Sequence, residues 1–499
     1  MAVNGKSTGR VVVVGTGPAG AAAALFLSKA GIETLMLEVG SEQAELGFTA
    51  RVKGFTFAKR RPPLRQRPDF KRIGDPESEL YEELAPGGLS NQWSCAVPRF
   101  AEEDFLDAKR GGEVHTWPIG YADVAPWYDK VEPLLHVAAG DKDAPRLPRS
   151  RAQALWKLGR DWDAVSDAAE PLGRSVVVMP YANGKSTMFT RSATAFNAFS
   201  QLVLPAVRAG ELSIRYDARV LRLEWSASER RVTAVVYRDA KSGREERVEC
   251  RAVVVAAGAV NSAQILLQSE SADFPKGLGN QHDVLGRYLH DHPLGKLVID
   301  LPRPVSVHPA SYITRPPLER SEPLYAAAYM QWCGAPTLVR SALKGTPGRL
   351  KQIGFSVFGT MAPSPDDYVA LDPERAKNGS GSSVVVSLRH PPEAVKTLER
   401  ARDEMMDILK RAGWDPQLSV WKVEAPGNSV HYGGTCRMHA SPRFGVVDAF
   451  SRVHGVPNVV VADSSVFTTG PEKNPVLTSM ALAARAGDRL AQELKQGDL

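Results

Sequence analysis

The sequence predicts an α/β fold, α+β over the whole chain, on three observations. A run of valines at 11–14 leads directly into the glycine pattern Gly15–Gly20 and then into an Ala- and Leu-rich stretch. A second apolar run, 252–257, again ends in a glycine, Gly258. Between 295 and 425 the pattern changes to alternating apolar and polar residues, the signature of antiparallel strands. The first two point to a Rossmann-like, mostly parallel sheet, and the third to a separate antiparallel sheet flanked by helices.

In chain order, 10–14 reads as a fully buried parallel strand. Residues 21–30 are strong helix formers closed by Gly31. Residues 33–37 form the next strand, ending at Glu38, so the start is one βαβ unit. Residues 41–80 are polar, basic and Pro-containing and read as an excursion over the surface. Over 140–200 the one clear pattern is a helical patch at 152–158. A helix is expected at 202–209, strands at 213–216, 218–225, 231–238, 246–250 and 252–257, and a helix at 261–269. Strands at 296–300, 324–331, 352–360 and 383–389 follow, with a helix at 392–412. After 426 the α/β pattern returns and ends in a helix at 478–495. The nucleotide-binding part is therefore expected from 1–135, 200–294 and 426–499, and a substrate-binding part from 136–199 and 295–425, with ligands between them.

With 499 residues and 43% hydrophobic content the chain can bury a large core. The net charge of +6 and pI of about 9.0 are mild for this length, and no aromatic interleaving argues for nucleic acid. The densest basic run, Lys59 to Arg72, is broken by three prolines and reads as a solvated loop. Four cysteines, Cys95, Cys250, Cys333 and Cys436, make no CxxC pair and fit no zinc spacing, so no metal site is expected. Free thiols in a reducing cytoplasm are expected. No apolar stretch is long enough for a signal peptide core or a membrane span.

Gly15-Thr16-Gly17-Pro18-Ala19-Gly20 is G-x-G-x-x-G. Gly15 permits the tight turn, Gly17 lets the backbone approach a pyrophosphate, and Gly20 lets the helix pack on the strand. The helix start faces the phosphates. Glu38, 23 residues beyond Gly15 at a strand end, suits a ribose 2′-hydroxyl and disfavours a 2′-phosphate. The pattern alone serves FAD or NAD. The long excursion after Glu38-Val39-Gly40, and the second strand-to-glycine turn through Ala257 and Gly258, favour FAD.

Further segments resemble the glucose–methanol–choline (GMC) oxidoreductases. They are Gly87-Gly88-Leu89-Ser90-Asn91-Gln92-Trp93-Ser94, Trp117-Pro118, Asp291-His292-Pro293, and a C-terminal block. That block runs from Asn428-Ser429-Val430-His431-Tyr432-Gly433-Gly434-Thr435 through Val461-Ala462-Asp463 to Asn474-Pro475. The resemblance implies FAD-dependent oxidation of an alcohol, with His431 and Asn474 as the active-site pair. It implies flavin contacts from Gly88, Ser90, Asn91, Trp93, Ser94, Val220, Asp463, Asn474 and Pro475, besides the glycine loop. His292 is expected to support the site. The Trp93 loop is similar to the pyranose-oxidase branch, where a His before the Trp can link covalently to the flavin. Gln92 stands there and cannot be that nucleophile, so FAD is expected to be non-covalent.

Alcohol oxidation needs a proton acceptor and a hydride acceptor. Histidine suits the first, with an ordinary pKa near 6.5; asparagine can orient the substrate oxygen but cannot take its proton at neutral pH. The expected substrate is a sugar, glycoside, cyclitol or amino-sugar hydroxyl. Oxygen or another acceptor would take the electrons. An NAD-dependent dehydrogenase and a non-catalytic flavin-fold binding protein are the competing readings. A flavin spectrum decides against the first, and bleaching of the flavin by an alcohol against the second.

Overall fold

The computed structural model describes residues 9–42, 70–183, 196–319, 325–332, 341–374 and 383–499. Val11–Val14 is buried throughout and pairs in parallel with Thr34–Leu37 on one side and Ala252–Val255 on the other. Val459–Val461 and Ser213–Arg215 complete a five-stranded parallel sheet. Four of its strands are buried throughout, because other elements pack on the sheet. Pro18–Lys29 packs on its central strands, the long terminal helix Val476–Gln496 packs on Pro18–Lys29, and strands of a three-stranded sheet also contact the parallel sheet. Strands from the beginning, middle and end of the chain thus meet in one sheet. A three-stranded antiparallel sheet, Ala218–Ser226, Arg231–Asp239 and Glu245–Glu249, stands beside it.

The second large sheet has six antiparallel strands in the order Gln417–Val423, Leu294–Ser306, Arg349–Gly359, Ala327–Gln331, Ser311–Ile313 and Val176–Val178. Alternation assigns its two faces. Leu297, Ile299, Phe355 and Val357 enter a core closed by Leu398 and Met405 of the helix Pro392–Arg411 and by Trp162 of Asp161–Ala169. The even-numbered neighbours Leu294, Lys296, Ser356 and Phe358 face the opposite way, into a cavity. A further, small sheet pairs Phe70–Gly74 in parallel with Val384–Leu388, and the latter antiparallel with Tyr368–Leu371. The side chains of Val369, Val384 and Val386 join the core of the parallel sheet, although they come from the 295–425 segment.

Several expectations need correction. Residues 152–158 are not a helix. Gln153 and Trp156 donate backbone N–H bonds to Val137 and Ala139 at 2.8 and 2.9 Å, so Ala154–Leu155 is a short strand beside Ala138–Ala139. Tertiary pairing overrides the local pattern there, and the helix begins only at Asp161. Residues 199–203 form a π-helical turn running into Leu204–Arg208. The helix Tyr121–Leu135 carries Pro126 and Pro133 and gave no clean periodic signal; the Asp123 carboxylate accepts the Gly120 N–H at its start, at 2.9 Å. The expected basic surface run lies outside the described residues up to 69. Cys95, Cys250 and Cys436 are buried thiols in no disulfide among the described residues, and Cys333 lies outside the described residues. Among the described residues no helix is long and apolar enough to cross a membrane.

Candidate active site

One cavity of about 1270 Å³ runs from the glycine loop to His431. At the near end Gly15 has φ +96°, and a Cβ there would fall 2.5 Å from the Ala256 carbonyl oxygen. Gly17 is different. Its φ is −65° and a Cβ would meet nothing within 4 Å, because the space above it is the cavity. Gly17 also begins the helix Pro18–Lys29, which has no side-chain cap and no acidic residue in its first turn. Its free N–H groups and dipole are therefore directed at the cavity, where an anion would satisfy them. A Cβ on Gly20 would fall 2.3 Å from the Gly15 carbonyl oxygen; Gly20 does not line the cavity but allows the loop to close.

Glu38 is buried at the end of Thr34–Leu37 and lines the cavity. Its carboxylate accepts from the Thr16 hydroxyl at 2.5 Å, the Thr16 N–H at 3.2 Å and the Gly40 N–H at 2.8 Å. Thr16 Oγ1 in turn accepts from the Gly87 N–H at 3.0 Å, tying the first glycine loop to the 87–92 loop. Burial pushes the Glu38 carboxyl up, against the lowering effect of its hydrogen bonds. Oε2 accepts both Thr16 bonds, and Oε1, which accepts the Gly40 N–H, keeps a lone-pair direction for a ribose hydroxyl. Glu38→Ala is expected to weaken FAD binding about 10- to 150-fold, the equivalent of about 1.5–3 kcal/mol for a hydrogen bond to a charged group. Fluorescence titration of the apoprotein measures this, and an unchanged affinity would show that Glu38 serves only the loop.

The middle of the cavity is lined by Pro18, Ala19, Gly88, Ser90, Trp93, Ser94, Val220, Ala257, Gly258 and Asp463. Asp463 accepts from the Gly258 N–H at 2.9 Å, Ser262 Oγ at 2.6 Å and the Ser465 N–H at 2.8 Å, joining two turns at strand ends. Trp93 Nε1–H donates to the Phe196 carbonyl at 2.7 Å, and Gln92 Nε2–H to Glu83 at 2.8 Å. Asn91, expected at the flavin, does not line the cavity. Its amide donates to the carbonyls of Pro86 and Gly88 at 3.1 and 2.9 Å and its oxygen accepts from Asn197 at 2.7 Å, so it shapes the loop instead.

At the far end Asn474 Nδ2–H donates to His431 Nε2 at 3.0 Å. Both line the cavity, as does Pro475. With the amide donating, Nε2 is the unprotonated nitrogen, and the buried Nδ1 has no hydrogen-bond partner among the described residues. His292 stands edge-on to the His431 ring, centroids 4.9 Å apart at 85°, and the Phe358 ring lies at 5.2 Å. Burial, and then the neighbouring His292, push His431 well below its ordinary value. His292, itself lowered to about 4 by burial, has its Nδ1 3.3 Å from the Gly359 carbonyl.

Two supports, Asp291 and Lys473, had no role assigned to them from the sequence, although Asp291 lies in the Asp291-His292-Pro293 segment. Asp291 is fully buried and accepts the His431 N–H at 2.7 Å, the Ser429 N–H at 3.1 Å and the Ser429 hydroxyl. It clamps both sides of Val430, a β-branched residue at φ +61°. Lys473, directly before Asn474, is fully buried and pairs with Asp104 and Glu472, each at 2.7 Å.

Residues 110–294 and 363–483 match the amino- and carboxyl-terminal models described as GMC oxidoreductase, and 8–56 matches an FAD binding domain. The chain belongs to the GMC oxidoreductases. As a GMC oxidoreductase it binds FAD and oxidises CH–OH groups. It is 25% identical to 2-methyl-1,2-propanediol dehydrogenase of Mycolicibacterium austroafricanum, over 97% of this chain and 95% of that one. It is also 25% identical to paromamine 6'-oxidase of Streptomyces fradiae, over 97% and 91%. Pyridoxine 4-oxidase from Mesorbium loti has the same fold, with a TM-score of 0.65 at 17% identity over 98% of this chain and 99% of that one. The glycine loop, the uncapped helix start and the length of the cavity fit the cofactor these matches imply.

Proposed function

We propose that this GMC oxidoreductase oxidises a hydroxyl of a sugar, glycoside, cyclitol or amino-sugar to a carbonyl, with His431 as the proton acceptor and Asn474 as its partner. The observation that carries this is the 3.0 Å contact between Asn474 and an unprotonated His431 Nε2 at the end of a cavity that begins at the glycine loop. FAD, when bound, supplies the hydride acceptor. The protein supplies the rest. A substrate hydroxyl between the two side chains donates to His431 Nε2 and accepts from the Asn474 amide. The imidazole takes the proton, and the amide holds the oxygen in place as it becomes a carbonyl. His292, Phe358 and the Asp291 clamp keep the ring from turning, so little reorganisation is needed. The names of the relatives, which act on a diol and on paromamine, support a polyhydroxylated substrate. Oxygen or another acceptor then takes the electrons, and the buried thiols of Cys250 and Cys436 suit a reducing cytoplasm. Anaerobic bleaching across a panel of sugars, aminoglycosides, cyclitols and simple alcohols tests the substrate; bleaching by simple alcohols alone would overturn the sugar reading.

Because His431 is lowered, its base form persists below pH 6.5. The rate of flavin reduction is therefore expected to hold through neutral pH and to fall only below 6.5, as the imidazole is protonated. A limb centred at or above 6.5 in the wild type would contradict this.

Gln92 leaves no linking nucleophile before Trp93, and its amide is engaged with Glu83. Acid precipitation is expected to release all of the yellow colour into the supernatant. Flavin retained in the pellet would refute non-covalent binding.

A further inference from the structure

Three neighbouring strands present alternate side chains to the far end of the cavity. Leu294 lies opposite Phe358, Lys296 opposite Ser356, and Met330 on the other side of Ser356. Phe358 marks the reacting end, 5.2 Å from the His431 ring. Along the same strand, away from His431, come Ser356 and then Gly354. There the Trp332 indole lies across the strand. Its Nε1–H donates to Ser356 Oγ at 2.9 Å, and a Cβ on Gly354 would fall 2.2 Å from the indole Cε3. Only a glycine lets the ring rest on the main chain at that point. Trp332 lines the cavity and is 36% exposed. The polar edge of the indole is satisfied and one face is seated on the strand, and the exposed part of the ring lies in the cavity.

An indole face carries the negative part of the ring quadrupole and attracts C–H bonds and other positively polarised groups. Beside it stand Ser356 and the Lys296 ammonium, which is paired with Glu424. An apolar face with polar groups at its edge matches a sugar ring, whose faces are C–H and whose rim is hydroxyl. At about 3.3 Å per residue, Gly354 and Ser356 lie roughly 7–13 Å along the strand from Phe358. A single six-membered ring, whose atoms span only about 3 Å, cannot sit at both places.

We propose that Trp332 is a stacking platform for a second ring of the substrate, so that the enzyme takes a glycoside of at least two rings. The reacting hydroxyl lies on the ring at His431 and Asn474, and the other ring lies on the indole. This rests on the sugar reading above.

The test compares kcat/KM for glucose with that for phenyl β-glucoside and cellobiose, using the holoenzyme and flavin reduction as the readout. The wild type is expected to prefer the two-ring substrates by about 10-fold or more, the order set by an aromatic contact plus its buried area. Trp332→Ala is expected to collapse that ratio by about 10-fold. Trp332→Phe keeps an aromatic face, and its ratio stays within about threefold of wild type. A ratio unchanged in Trp332→Ala, or one that falls as far in Trp332→Phe, overturns the platform while leaving the sugar reading intact. If the wild type reduces its flavin with none of the three sugars but does so with simple diols, the sugar reading falls and the proposal with it.

Discussion

Replacing His431 by alanine leaves a yellow protein whose flavin is reduced by its alcohol about 10²–10⁴-fold more slowly, the range for loss of a general base. The colour remains because the residues expected to hold the adenine and pyrophosphate, Gly15, Gly17 and Glu38, line the same cavity but belong to the glycine loop and the strand end beside it. The rate falls because, among the described residues, neither of the neighbouring histidines lines the cavity. His292 has its Nδ1 toward the Gly359 carbonyl, and His439 lies at the Glu113 carbonyl, outside the cavity. Asn474→Ala costs less, because it removes one hydrogen bond and some orientation but leaves the acceptor. The limb below pH 6.5 disappears in His431→Ala and persists in Asn474→Ala. Anaerobic stopped-flow reduction reads all of this. The reverse ordering, with Asn474→Ala crippled and His431→Ala near normal, would remove His431 from the mechanism.

The second large effect separates two glycines that look alike in the motif. Gly17→Val adds bulk only to open cavity, at an ordinary φ of −65°, so the apoprotein is expected to keep its stability to within about 0.5 kcal/mol. The same side chain stands where the pyrophosphate must approach the helix start. Holding the phosphates away weakens more than one charge-assisted hydrogen bond, each worth about 1.5–3 kcal/mol, so FAD affinity falls by about 100-fold or more. Gly15→Ala instead strains the protein itself. Its φ of +96° costs about 1–3 kcal/mol for a residue with a side chain, and the Ala256 carbonyl oxygen must also move. Its apoprotein melts lower whether or not FAD is added. Thermal melts of both apoproteins with FAD titrations check the contrast. Wild-type FAD binding by Gly17→Val would mean that the cofactor does not cross this loop.

What could be read from the sequence was whatever local rules encode. The βαβ start, the strand before Gly258 and the terminal helix are continuous apolar or periodic segments, and all formed within a few residues of expectation. The alternation over 295–425 gave the strands and, with them, the two faces of the six-stranded sheet. It did not show which face meets the cavity, because that depends on where Pro392–Arg411 docks. Long-range pairing was invisible. Phe70–Gly74 lies parallel to Val384–Leu388 from more than 300 residues away, and Val176–Val178 joins a sheet whose other strands begin at Leu294. At the site, the resemblance of the C-terminal block to the GMC oxidoreductases pointed to His431 and Asn474, which the fold brings to 3.0 Å. Asp291 was visible only as a neighbour of His292, since nothing local shows a carboxylate reaching the backbone of a turn 140 residues later. Asn91 had the right chemistry for a flavin contact, but its own loop consumes the amide.

The central claim is that an alcohol reduces the flavin of this protein directly. Anaerobic titration of the holoprotein with its alcohol, following the oxidised flavin band and the carbonyl product together, tests it most directly. The expected result is loss of the band with one carbonyl formed per FAD. A flavin band that no alcohol bleaches, or carbonyl formed while the band is unchanged, would contradict it.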